Sequence, residues 1–163
     1  MQLSRFTDLS LRVLMVAAVN TDNRITTDDV TTLFGVSRNH IVKVIHTLQS
    51  LGYLETTRGR GGGFVLARDP ETIRVGDIVR DTETNLVLVE CFDAEANTCR
   101  LNPACSLKRA LQGALHAFLK ELDRYTLADF VGQRRQVQRL LQLRTHGATA
   151  PANPSAGVRS AGV

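Results

Sequence analysis

Apolar and polar positions alternate along this chain with two different periods, and the changes of period mark its elements. Leu9, Val13, Val16 and Ala17 recur at helical spacing, with Thr7 as the expected cap and Asp8 in the first turn. An acid at that place is ordinarily accounted for by the helix dipole. After the polar turn Asn20 to Arg24, Thr27 followed by Asp28 and Asp29 opens a short second helix through Val30, Leu33 and Phe34, and Gly35 ends it. Ser37 is placed to cap a third helix whose inward face is Ile41, Val44, Ile45 and Leu48 and whose stop is Gly52.

The period then shortens. Tyr53 to Thr57 and Phe64 to Ala67 have strand character and are joined by Arg58-Gly59-Arg60-Gly61-Gly62-Gly63, a hairpin with a basic, glycine-rich tip. A hairpin directly after helix, tight turn and helix outlines a winged helix-turn-helix. Ile73 to Arg80 reads as a short strand or turn and then a small helix. Beyond Pro103, the residues Leu107, Leu111, Leu115, Phe118, Leu122 and Tyr125 make a continuous helical stripe. On an isolated helix such a stripe needs a cover, and a two-fold partner is the simplest one. Thr126 with Asp129 resembles a capping box that opens a final helix through Val131, Val137, Leu140 and Leu141.

The expected architecture is mainly α with a small β-hairpin wing. A winged helix-turn-helix domain spans 1–81, a cysteine-bearing loop 82–106, a dimerisation helix with a C-terminal helix 107–146, and a disordered tail rich in Ala, Pro, Gly and Ser 147–163.

Charge sharpens this picture. The whole chain carries a modest formal +4, yet the segment from Gly35 to Arg68 holds Arg38, Lys43, Arg58, Arg60 and Arg68 against Glu55 alone. A basic cluster on one element is the footprint of a polyanion such as double-stranded DNA, although a charge run by itself is more often just a solvated face. Arg38, Asn39 and His40, just past Ser37, are donors of the kind that read base edges, and Lys43 lies one turn on, facing phosphate. Arg58 and Arg60 on the hairpin tip reach phosphate or an adjacent minor groove. His46 reads as a surface residue without a task. The glycine run lacks the Lys-Ser/Thr of a phosphate loop and is followed by a strand, and no nucleophile–base pair appears, so an enzyme is not expected. The richest apolar stretch, Leu9 to Val19, is interrupted by Arg12 and is too short to span a bilayer. With no secretory signal pattern, the expected location is cytoplasmic, where thiols stay reduced.

All three cysteines fall in one loop, with seven residues between Cys91 and Cys99 and five between Cys99 and Cys105. These intervals exceed the tight Cys-x-x-Cys knuckle, and three thiols cannot all pair as disulfides. A soft-metal site is the better reading: zinc, copper(I) or an iron–sulfur cluster, each wanting a fourth ligand. The loop offers Glu90, Asp93, Glu95 and Asn97 but no histidine. From spacing alone, inert thiols or one regulatory disulfide with a spare stay open.

The order of winged helix, three-cysteine loop and long apolar helix resembles the iron–sulfur winged-helix repressors. The residues that carry the resemblance are Met1-Gln2-Leu3 with Phe6-Thr7-Asp8, then Gly35-Val36-Ser37-Arg38-Asn39-His40, then Arg58-Gly59 with Gly62-Gly63. Asn102-Pro103-Ala104-Cys105 with Leu107-Lys108, and Tyr125-Thr126-Leu127-Ala128-Asp129, extend it to about residue 131. Members that govern iron–sulfur biogenesis have a histidine three residues beyond the last cysteine, a position held here by Lys108. Nitric-oxide-sensing members pair three cysteines with an N-terminal aspartate from the other protomer, matched here by Asp8, and the chain is more similar to that branch. The resemblance implies a cytoplasmic homodimeric repressor that binds a dyad-symmetric operator. Its cofactor would be an iron–sulfur cluster, [4Fe–4S] in preference to [2Fe–2S], held by Cys91, Cys99, Cys105 and Asp8, with nitric oxide as the signal. Two alternatives are an iron–sulfur-status regulator of the biogenesis branch and a metal-free thiol switch. An electron carrier would leave Arg38, Asn39, Arg58 and Arg60 without a task.

Overall fold

The computed structural model describes residues 2–20, 24–59 and 62–132. Arg60 and the stretch 133–163, with Val137, Leu140 and Leu141 of the expected final helix and the expected tail, lie outside the described residues.

Helix α1 (Arg5–Val19) begins earlier than its apolar pattern. Ser4, not Thr7, is the cap, its hydroxyl accepting from the Thr7 N–H at 3.2 Å. Thr7 is fully buried instead, and its hydroxyl accepts from Thr82 Oγ1 at 3.2 Å. That partner lies 75 residues away and is invisible to local pattern; Ser4 Oγ, at 3.0 Å, is a second one. Helix α2 (Thr27–Phe34) is capped by Thr26, one residue before the expected start, in a full capping box with Asp29. Gly35 then turns the chain at φ 62°, a left-handed conformation that would cost another residue about 1–2 kcal/mol. Helix α3 (Arg38–Ser50) follows, and here Ser37 makes no side-chain cap; its hydroxyl lies 3.0 Å from His40 Nδ1.

Strands β1 (Leu54–Thr57) and β2 (Gly63–Leu66) pair antiparallel, with Leu54 opposite Leu66 and Thr57 opposite Gly63. Tyr53 and Ala67, expected at the ends of the strands, fall just outside them. Ile25, in the connection between α1 and α2, bridges to Phe64 through N–H···O bonds of 3.1 and 2.9 Å and gives the wing a third edge. A Cβ on Gly63 would sit 2.6 Å from the Ile25 carbonyl oxygen, so only glycine permits this approach. Val13 and Leu14 of α1, Val30 of α2, Ile41 and Leu48 of α3 and Phe64 of the wing meet in one core.

Helix α4 (Val75–Thr82) packs Ile78 and Val79 inward beside α1. The chain then runs through short 3-10 turns at Glu90–Phe92 and Asn102–Ala104 into helix α5 (Ser106–Leu122). Pro103 belongs to the preceding turn, and Cys105 is the cap of α5. No residue of α5 is buried: Leu111, Leu115, Phe118 and Leu122 are half-covered, and Leu107 is 65% exposed. Tyr125 lies past the helix end, its ring centroid 5.9 Å from that of Phe130. The capping box of Thr126 and Asp129 is present but opens only a 3-10 turn, Leu127–Phe130, within the described residues.

After α5 the chain returns to the winged body. Val75 N–H donates to the Tyr125 carbonyl at 3.0 Å and Leu127 N–H to that of Ile73 at 2.8 Å, which seats Leu127 in the core. Arg80 of α4 grips Asp123 with two bonds of 2.8 and 2.5 Å, and this fork holds the Asp123 carboxyl below the usual carboxylate range.

Candidate nucleic-acid interface and cysteine loop

The inward face of α3 fixes what its other side presents. With Ile41, Val44, Ile45 and Leu48 buried, Ser37, Arg38, Asn39, His40 and Lys43 stand exposed at the start of the helix, and His46 is exposed further along. The first turn of α3 contains no acid and has no side-chain cap, so its end is open to an anion. Arg38 is not free of partners: its Nε lies 3.3 Å from Asp28 Oδ1 of α2. A groove of about 370 Å³ runs between this pair and the wing, lined among others by Thr26, Ile45, Thr57 and Arg58. Arg58 is exposed on the wing.

Two residues on this face were not singled out by sequence. Arg24 hydrogen-bonds the Thr57 hydroxyl because the Ile25–Phe64 bridge carries it to the wing. Asp28 reaches Arg38 across the turn. Neither has a local signal, since both depend on how separate elements pack. The base of the wing is tied to α4 by Tyr53, which is buried, donates to Asp81 Oδ2 at 2.6 Å and stacks under the Arg68 guanidinium at 4.4 Å. Burial, reinforced by Asp81, pushes the Tyr53 phenol well above its ordinary pKa.

The cysteine loop is held largely by its own polar groups. Cys91 sits in the turn Glu90–Phe92, the Cys99 N–H donates to Asn97 Oδ1 at 3.1 Å, and Cys105 Sγ accepts from the Lys108 N–H at 3.4 Å. All three thiols are free and half-buried. The loop acids are partly engaged: Asp93 accepts from the N–H groups of Glu95 and Ala96 at 2.9 and 3.2 Å, and Glu90 from the Thr98 hydroxyl at 3.2 Å. The Lys108 ammonium, a donor only, is bonded to Asn102 Oδ1 at 2.7 Å. Among the described residues of this one chain, no three His, Cys, Asp or Glu side chains gather as metal ligands. Asp8 is held in a two-point ion pair with Arg12 at 3.0 Å. Beside the start of the loop, a trough of about 200 Å³ is walled by Leu3, Leu86, Val87, Leu115 and Phe118, continuous with the stripe of α5.

Among the described residues, no helix is long and apolar enough to cross a membrane. The family profile Rrf2, described as an iron-dependent transcriptional regulator, matches residues 3–133. The helix-turn-helix transcriptional regulator NsrR of Shouchella clausii is 46% identical over 146 residues, which cover 89% of this chain and 98% of that protein. Its counterpart of the same name in Bacillus subtilis is 44% identical over 145 residues, 88% of this chain and 99% of that protein. Among solved structures, T. potens IscR shares the fold with a TM-score of 0.67 at 22% identity, over 85% of this chain and 91% of that one. With a winged helix-turn-helix in place, a profile spanning most of the chain and relatives matched along nearly their full length, this chain belongs to the Rrf2 family of transcriptional regulators and, within it, is NsrR-like.

Proposed function

We propose that this regulator is a cytoplasmic homodimeric repressor, not an enzyme, that binds a dyad-symmetric operator and responds to nitric oxide through an iron–sulfur cluster, [4Fe–4S] in preference to [2Fe–2S]. The observation that carries the reading is the trio of free, half-buried cysteines on the connection between the DNA-binding body and a long helix whose apolar stripe is only half-covered. As a donor set the residues fit. Thiolates suit iron–sulfur clusters, and the place of a histidine ligand is taken by a lysine already bonded to Asn102. The fourth ligand in this reading is the partner subunit's Asp8, a hard oxygen donor among soft sulfurs. When bound, the cluster supplies iron that a small molecule such as nitric oxide can reach where a ligand is weakly held.

The chain's own residues do the rest. Cys91, Cys99 and Cys105 would hold the cofactor together with the partner subunit's Asp8, which would couple the site to the way two protomers sit together. Leu111, Leu115, Phe118 and Leu122 form the seam between protomers. Arg38, Asn39 and His40 face base edges, Lys43, Arg58 and Arg60 face phosphate, and Ser37 meets the DNA beside them.

A second reading, a metal-free thiol switch, is favoured by one observation: the three thiols are not gathered as ligands within one described chain. Anaerobic purification separates the two. The expected product is coloured, contains iron and sulfide, and changes its operator affinity on exposure to nitric oxide. A colourless, iron-free protein that binds DNA according to its thiol oxidation state would establish the switch instead, and a coloured one indifferent to nitric oxide would refute the signal.

A further inference from the structure

The Arg38–Asp28 pair is solvent-exposed, yet it joins the two helices of the helix-turn-helix. Asp28 lies on α2 and Arg38 at the first position of α3, so the contact spans the turn of the helix-turn-helix. It engages Nε, on the stem side of the guanidinium, rather than the two terminal nitrogens. Those nitrogens are the fork that meets guanine O6 and N7 in the major groove. A positive side chain at the positive end of a helix dipole has no local reason to settle there, and the first turn of α3 contains no acid of its own.

We infer that Asp28 is a specificity-determining residue, a positioning carboxylate that orients Arg38 so that its fork reads a guanine in each operator half-site. This rests on the reading of α3 as the recognition helix. Two opposite effects follow. Orientation raises the affinity for the right base, because less side-chain freedom is lost on contact. The same negative charge faces the phosphates and lowers affinity for DNA of any sequence. Removing the charge therefore strengthens indiscriminate binding while weakening discrimination. The other acid in the first turn of α2, Asp29, is committed to the capping box with Thr26 and does not substitute.

Selection from a randomised duplex library with the full anaerobically purified chain tests this for an operator of any sequence. Wild type and Asp28→Glu, which keeps the carboxylate, are expected to select a guanine at one position of each half-site. Asp28→Asn is expected to lower that preference about fivefold or more at that position alone, while binding random-sequence duplex more tightly. Arg38→Ala is expected to abolish the preference. If Arg38→Ala does so but Asp28→Asn leaves it unchanged, or flattens every position equally, the positioning role is overturned and the recognition helix stands. If Arg38→Ala leaves the selected sequence intact, the assignment of Arg38 falls and this inference with it.

Discussion

Replacing Asp8 separates a ligand from an ordinary helix-terminal acid, because its structural contribution has a low ceiling. The Asp8 and Arg12 side chains are 47% and 51% exposed, and an exposed pair at this helical spacing contributes about 0.3–0.5 kcal/mol. Its interaction with the dipole of α1 adds about 0.3–1 kcal/mol, so Asp8→Ala as a purely structural change costs at most about 1.5 kcal/mol. For a chain of this size that lowers Tm by about 3–6 °C and leaves the cysteine loop untouched. As a ligand donated across the dimer, the same substitution leaves folding within that limit yet alters the visible spectrum and the DNA affinity. The assay mixes Asp8→Ala chains with chains carrying Cys91→Ser, Cys99→Ser and Cys105→Ser. Serine is itself a good cap, so the last of these changes preserves the start of α5. The heterodimer then holds one intact set, cysteines from the first chain and Asp8 from the second. Recovery of one wild-type-like cluster per heterodimer is expected. A spectrum equal, per cysteine-bearing chain, to that of the Asp8→Ala homodimer would refute the cross-protomer ligand.

Leu115→Glu combined with Phe118→Glu should give a folded monomer by sedimentation, since α5 contributes no buried residue to the winged body, and a stable dimer would count against the seam. Arg58→Ala should weaken binding to all sequences alike and reduce the salt slope by about one, whereas Arg38→Ala should forfeit about 1–3 kcal/mol of discrimination; equal losses on specific and random DNA from Arg38→Ala would overturn the recognition-helix assignment. The depressed pKa of Asp123 fixes the sign of a pH effect. Its ion pair with Arg80 stabilises the fold fully above the ordinary carboxylate pKa of about 4 and progressively less as pH falls through the lowered value. Urea unfolding should thus show Asp123→Asn less stable than wild type at neutral pH, with the gap closing under acid conditions; a gap constant from pH 7 to 3 would exclude this linkage.

The helices were legible wherever burial follows a single period. The inner face of α3 is the clearest case, because Ile41, Val44, Ile45 and Leu48 all turn to one core. The wing was legible from its glycines and β-branched residues, but its third edge was not: Ile25 is one isolated bridge residue, and alternation cannot show in a single position. Thr7 misled for a related reason. A threonine before an apolar run looks like a cap, but Thr7 is a buried hydroxyl that meets the distant Thr82. Leu127 likewise reads as part of a terminal helix until Ile73 and Val75 pair with its neighbourhood. At the candidate site, the basic positions could be read from residue type, but the Asp28–Arg38 contact joins two elements. The cysteine loop was legible as chemistry only, since its carboxylate, on the proposed reading, belongs to another chain.

The return of the chain to the winged body after α5 makes that helix a lever. Its far end is pinned by the Arg80–Asp123 fork and by Leu127 in the core, while its near end begins at Cys105. At about 1.5 Å per residue the helix is about 25 Å long, so a shift of about 2 Å at the cysteine end is a swing of about 5° about the pinned end. On the proposed dimeric reading, such a swing carried across the roughly 34 Å that separates successive half-sites would displace a recognition helix by about 3 Å. Hydrogen bonds to base edges tolerate a few tenths of an ångström. On that reading, a helix fastened in this way would turn a small change of shape around three sulfurs into a loss of register on DNA, without either recognition helix having to unfold.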